Sequence, residues 1–212
     1  MEHLSMSVAA WAVALCLALP LGLFLGHTGR GGGVAINVAN IARAIPSLAV
    51  LSLSLPLAFG LGLGLGFWPT VIALVPLGIP PILINTYTAI RSVDKDIVEA
   101  ARGMGMDGWQ VLRQAEVPTG APVILTGLRT AAVTIVATAT LGAIVASGGL
   151  GRYLVDGLAR QDETRLFVGA LLVAILAMLT EGAFAWLGKA VVSPGLQQAG
   201  RHDQEPWMMW TG

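Results

Sequence analysis

Five stretches of this chain run for about 20 residues each with almost no charge, long enough to cross the roughly 30 Å of hydrocarbon in a bilayer. They cover residues 7–26, 36–59, 68–90, 122–146 and 166–187, and their only charged members are Arg43, Arg129 and Glu181. Such segments leave few folds open, because hydrocarbon offers no partner for backbone N–H and C=O groups and a helix satisfies them internally. Composition agrees: 55% of the 212 residues are hydrophobic and 11% charged, where a soluble domain carries about a quarter charged. The expected fold is all-α, a polytopic transmembrane helical bundle of about five spans.

The first span reads as retained rather than as a signal peptide. Met1, Glu2 and His3 give no basic n-region, the apolar run outlasts an h-region, and further hydrophobic spans follow. Formal net charge is zero, so no basic balance favours a nucleic-acid partner. Cys16 is the single cysteine and cannot pair within the chain. Pro46, Pro56, Pro76, Pro80 and Pro81 interrupt the second and third spans, freeing backbone groups that neighbouring helices or a polar cavity must satisfy.

Five spans put the termini on opposite sides, and the basic residues choose between them. Arg30, Arg43, Arg91, Lys95, Arg102, Arg113, Arg129, Lys189 and Arg201 gather on one side, against Arg152, Arg160 and Arg165 on the other. The N-terminus is therefore expected outside, with residues 91–119 and the C-terminus cytoplasmic. Residues 1–192 form the membrane domain and 193–212 a polar tail whose Trp207 and Trp210 rest at the interface or hang free. Between the second and third spans, Gly60 to Gly66 alternates glycine with leucine. It lacks the register and the strand–helix setting of a phosphate loop, which leaves an external turn or close helix packing.

Residues 91–119 are the longest polar insertion, and they read as a helix–turn–helix. Val93, Ile97, Ala100, Ala101 and Met104 recur at helical spacing. Asp96 with Glu99 fits a capping box, with Asp94 as the alternative cap. Gly103 and Gly105 permit a sharp turn. Asp107 with Gln110 starts a second short helix, which carries Trp109, Val111 and Leu112 and which Pro118 is expected to end. Its charge is mixed rather than basic, so a protein partner suits it better than anionic lipid.

Glu99, Ala100, Ala101, Arg102, Gly103, Met104 and Gly105, followed by Val117 and Pro118, resemble the cytoplasmic signature loop of binding-protein-dependent ABC transporter permeases. The family pattern is Glu-Ala-Ala, a spacer, Gly, and a later Ile-x-Leu-Pro; Ala115 and Val117 stand here at the Ile and Leu positions. The resemblance implies a type I importer fold in which this loop docks on an ATPase, with Glu99, Ala100, Ala101 and Gly105 making or shaping the contact and Arg102, Gly103 and Pro118 completing the motif. Residues 40–49, 85–90, 99–106, 127–131, 138–143 and 148–151 resemble the branch that imports osmoprotectants such as glycine betaine, choline, carnitine and proline betaine. Methionine and other amino-acid importers share the general plan. The resemblance further implies a cytoplasmic ABC ATPase subunit that binds ATP and Mg, a second permease subunit, identical or paralogous, and an extracytoplasmic substrate-binding protein.

Polar groups inside spans are costly and face a bundle interior or a cavity. Arg43, Arg129 and Glu181 fall at similar depth, so Glu181 can pair with either arginine; snorkelling arginines are the competing explanation. Asn37, Asn40, Ser47, Asn85, Thr86 and Tyr87 are candidates for the translocation path, and interhelical hydrogen bonding explains them equally. Few aromatics lie in the spans, so an aromatic cage for a quaternary ammonium is expected in a separate binding protein. His3, His27 and His202 show no metal-ligand spacing. No Gly-x-x-x-x-Gly-Lys-[Ser/Thr] occurs and no nucleophile–base set stands out, so the chain is expected to be no enzyme and to hold no cofactor of its own. A secondary transporter would often show internal repeats with paired broken helices, and no convincing repeat is visible.

Overall fold

A computed structural model describes residues 1–191. Its first helix, α1 (Glu2–Thr28), buries His3, Met6, Ser7, Ala10, Ala14, Ala18, Gly22 and Gly26. From Ala10 onward that stripe repeats every fourth residue and contains nothing larger than alanine. Small side chains let two backbones approach, which is how helices associate where water supplies no hydrophobic drive. The partner is α4 (Phe67–Arg91). A Cβ on Gly22 would lie 2.8 Å from Thr86 Cβ, and one on Gly26 would lie 2.7 Å from Ile90 Cβ.

α4 holds Pro76, Pro80 and Pro81 and nevertheless continues as one helix. It is packed on two sides: Gly78 fits between Ala14 of α1 and Ile135 of α7 (Val117–Thr138). Gly127 of α7 in turn lies against Asn85 and the carbonyl of Pro81, where an added Cβ would come within 2.6 and 2.7 Å. Ile82, Ile135, Ala14 and Ala131 are fully buried in this three-helix core.

The expected second span is not one helix. α2 (Gly32–Arg43) and α3 (Ser47–Gly60) meet at 96°. Pro46 explains the break, since proline disfavours a helical conformation at the preceding residue, and it stands as N-cap of α3 with φ −57° and ψ 132°. At 1.5 Å per residue, helices of 12 and 14 residues reach roughly 18 and 21 Å, so neither crosses a bilayer alone. Among the described residues four helices are long and apolar enough to do so, or five spans if the bent pair counts as one.

Gly60 to Gly66 form a turn and not a helix contact. Among the described residues nothing lies within 4 Å of where a Cβ on Gly60, Gly62 or Gly64 would be, and Gly62, Gly64 and Gly66 all have positive φ. Gly66 N–H donates to Val145 O, which joins the start of α4 to the 3-10 segment Ala139–Val145 that ends the fourth span. The start of α1 reaches the same place: His3 bonds Val136 O at 2.9 Å, Ser147 Oγ donates to Met6 Sδ, and the Glu2 carboxylate covers Gly148.

Two further helices follow within the described residues. α8 (Gly151–Ala159), absent from the sequence expectation, packs between the 3-10 segment and α9 (Glu163–Val191). Gln161, with φ 54°, closes α8, and Arg165 bonds Asp156 at 3.1 Å. α9 then runs back along α7. The spans thus alternate in direction, and the start of α1 and the end of α9 lie at opposite ends of the bundle. Trp207, Trp210 and His202 fall outside the described residues.

Candidate functional site

The end of the bundle where α1 and α4 finish carries α5 (Lys95–Gly103) and α6 (Gly108–Val111). Asp94, not Asp96, caps α5: its carboxylate accepts the Asp96 N–H at 3.0 Å. Asp94 is the residue with extended ψ, 132°, while Asp96 already lies in the first turn. α5 closes with paired bonds, Met106 N–H to Ala101 O and Gly105 N–H to Arg102 O, around Gly105 at φ 87°. This crossed pair needs a left-handed residue after the helix, which glycine supplies without a Cβ clash. Asp107 and Gln110 then cap α6 reciprocally at 2.8 and 2.9 Å.

Pro118 does not end the second helix. Residues Gly108–Val145 form one continuous helical stretch, with a π-turn at Leu112–Glu116 and Pro118 in the first turn of α7. A proline there clashes least, because the missing N–H falls where the hydrogen-bond ladder changes register. α6 is therefore continuous in backbone with a span, and α5 precedes it across the turn at Gly105.

Its inner side is anchored. Ala101 is buried, Val111 is fully enclosed, and Leu112 clusters with Ala89 and Ile90 of α4 and Ile124 of α7. Its outer side is open: Glu99, Ala100, Arg102, Gly103 and Gly105 are exposed, beside Met104 at 73% and Trp109 at 67% exposure. Exposed large apolar side chains interleaved with charge are the composition of a protein-docking patch. Ala101 differs from its neighbours in the motif, since it holds the helix down from within.

Of the intramembrane charges, Arg129 and Glu181 meet: Nη1 and Oε1 lie 3.1 Å apart, joining α7 to α9. Trp11 reinforces that junction, donating to Leu128 O at 3.1 Å and stacking edge-on against Phe184 at 5.7 Å. Arg43 is placed differently. It is exposed in the last turn of α2, at the bend, where a cation complements the helix dipole.

The six polar candidates separate as well. Thr86 is fully buried against Gly22 and Tyr87 lies over Gly32, so both sit between helices. Asn85 Nδ2 donates to Pro81 O at 2.7 Å. Asn37 and Asn40 are exposed on α2, and Ser47 is half-buried at the start of α3.

One pair was invisible in the sequence. His27, in the last turn of α1, meets Glu116 of the π-turn with Nδ1 and Oε2 2.6 Å apart. The two residues are 89 positions apart, and only the depth of Glu116 beside apolar Leu112 and Val117 hinted that it needed a partner.

Comparison with known proteins gives a consistent picture. The chain is 37% identical over 196 residues to the glycine betaine/carnitine/choline transport system permease protein OpuCB of Bacillus subtilis, covering 92% of this chain and 88% of that one. It is 34% identical over 180 residues to the osmoprotectant import permease protein OsmW of Salmonella typhimurium, covering 85% and 84%. In fold it resembles a chain of the MetNI methionine ABC transporter in an inward-facing conformation, with TM-score 0.81 over 91% of this chain and 94% of that one, at 23% identity. Residues 18–193 match the profile of the binding-protein-dependent transport system inner membrane component, and with relatives this similar along most of its length the chain belongs to that family.

Proposed function

We propose that this chain is the translocating subunit of an ATP-driven importer for a quaternary-amine osmoprotectant such as glycine betaine or choline. The observation that carries the substrate class is the likeness to permeases named for glycine betaine, carnitine and choline across nine-tenths of the chain. A methionine-type substrate has weaker support, since the methionine transporter is alike at 23% identity, a level that speaks for fold.

In this reading the open crest of α5–α6, with Glu99, Ala100, Met104 and Trp109, docks on a cytoplasmic ATPase that holds ATP and Mg. This chain performs no chemistry itself. Closure of the ATPase pair pushes on α5–α6, and the continuous helix Gly108–Val145 carries the displacement into the membrane, alternating access to a path bordered by Asn37, Asn40 and Ser47. A second permease subunit covers the open faces of α2, α3 and α9, and a binding protein delivers solute to the end holding the start of α1. The crowding of basic residues at the α5–α6 end supports placing it in the cytoplasm of an inner membrane.

The test is copurification of the ATPase encoded beside this chain, followed by uptake of labelled glycine betaine, choline and methionine into proteoliposomes. Glu99→Lys and Ala100→Arg, both on the open crest, are expected to lower ATPase recovery about tenfold or more. Unchanged recovery sinks the docking surface, and uptake of methionine in preference to the quaternary amines sinks the substrate class.

A further inference from the structure

The α5–α6 segment is joined in sequence to α4 and to α7. A third helix, the end of α1, meets it only through space, at His27. Glu116 is 5% exposed, and among the described residues His27 is its one ion-pair partner, at 2.6 Å. The same imidazole faces the start of α6: its Nε2 lies 3.3 Å from where a Cβ on Gly108 would be. His27 therefore touches both limits of the short piece between α5 and α7. Around it the packing is loose, because a groove of about 560 Å³ lined by Leu19, Leu23, Phe24, Trp109 and Leu112 separates α1 from α6.

A π-turn is the compliant element of a helix, since its hydrogen-bond ladder is out of register with the α-turns on either side. Left alone, the turn at Leu112–Glu116 would absorb part of any push delivered to α6. A carboxylate as buried as Glu116, held by a charge-assisted hydrogen bond, resists separation from its partner, because parting leaves the carboxylate buried without one. Beyond His27, α1 is seated on α4 with backbones nearly touching at Gly22 and Gly26, so a displacement of its end moves two helices.

We propose that the His27–Glu116 pair is a coupling contact that pins the π-turn and carries motion of α5–α6 into α1, making His27 a positioning residue for energy coupling. The proposal rests on the reading that α5–α6 docks on an ATPase.

The experiment reconstitutes the full importer in proteoliposomes and reads solute imported per ATP hydrolysed. His27→Leu and Glu116→Leu are expected to keep the ATPase bound and hydrolysing while import per ATP falls about tenfold, the size of an ordinary coupling between sites. His27→Asn, whose amide N–H replaces the Nδ1 donor, restores most of the ratio, and the double leucine variant is no worse than either single one. A wild-type ratio in His27→Leu, or losses that multiply in the double variant, overturns the proposal. If His27→Leu does not assemble, Gly108→Val serves: it crowds the imidazole without removing it, and a wild-type ratio there also overturns the pair. Failure of the wild-type chain to bind any ATPase is the distinct signature of a wrong docking reading, and it removes the coupling role with it.

Discussion

α4 and α9 are similar in length and both mostly apolar, yet 56% of the most apolar stretch of α4 is buried and 6% of that of α9. The difference lies in the side chains that meet each helix. α4 is flanked by Gly22, Gly26 and Gly127, each of which brings a neighbouring backbone against it. α9 buries Gly169 and Val173 and is otherwise fixed by Arg129, Trp11 and α8, leaving Phe167, Met178 and Trp186 outward. Apolarity puts a helix in the bilayer, and small residues decide whether it is buried in its own protomer.

The comparison breaks most readily at Gly127. Gly127→Val drives two methyl groups toward Asn85 and the Pro81 carbonyl and is expected to cost about 3 kcal/mol, read as a lower midpoint in detergent unfolding. A midpoint near wild type would mean that α4 and α7 are not so closely held. Glu181→Gln tests the fastening of α9. Because Arg129 and Glu181 are 38% and 48% exposed on this protomer, the expected loss is about 1 kcal/mol, seen as earlier proteolysis of the α8–α9 connection. The smallest effect belongs to the outward face: Met178→Ala and Trp186→Ala should each change protomer unfolding by no more than about 0.5 kcal/mol. The same variants lower crosslinking between permease subunits if that face is the subunit boundary; unchanged crosslinking would assign it to lipid.

Much of this architecture was legible in the sequence because it depends on local signals. Apolar length located the spans, and Asp107 with Gln110 marked the start of α6 within a residue. Glycine at 105 announced the left-handed close of α5. What stayed hidden depends on geometry that spacing does not encode. The sequence puts Pro46 inside one interrupted span, and nothing in its spacing gives the 96° between α2 and α3. Pro118 was read as a stop because the ladder shift ahead of it leaves no compositional trace. The open side of α5 could be anticipated from its charged residues, whereas the burial of Ala101 depends on how α5 meets α6 and the π-turn.

That ladder shift has a consequence for how the two ends of the long helix can vary. One extra residue in a turn rotates everything beyond it by about 100° relative to an unbroken helix, so the π-turn at Leu112–Glu116 sets the azimuth of α7 against α6. Rewinding that turn into regular α-helix at the same chain length would swing Gly127 off Asn85 and Arg129 off Glu181 while leaving the composition of both segments untouched. The insert works as a phase shifter: it lets one rod present its outer surface at one bearing and fit its own bundle at another, with neither face dictating the other's sequence.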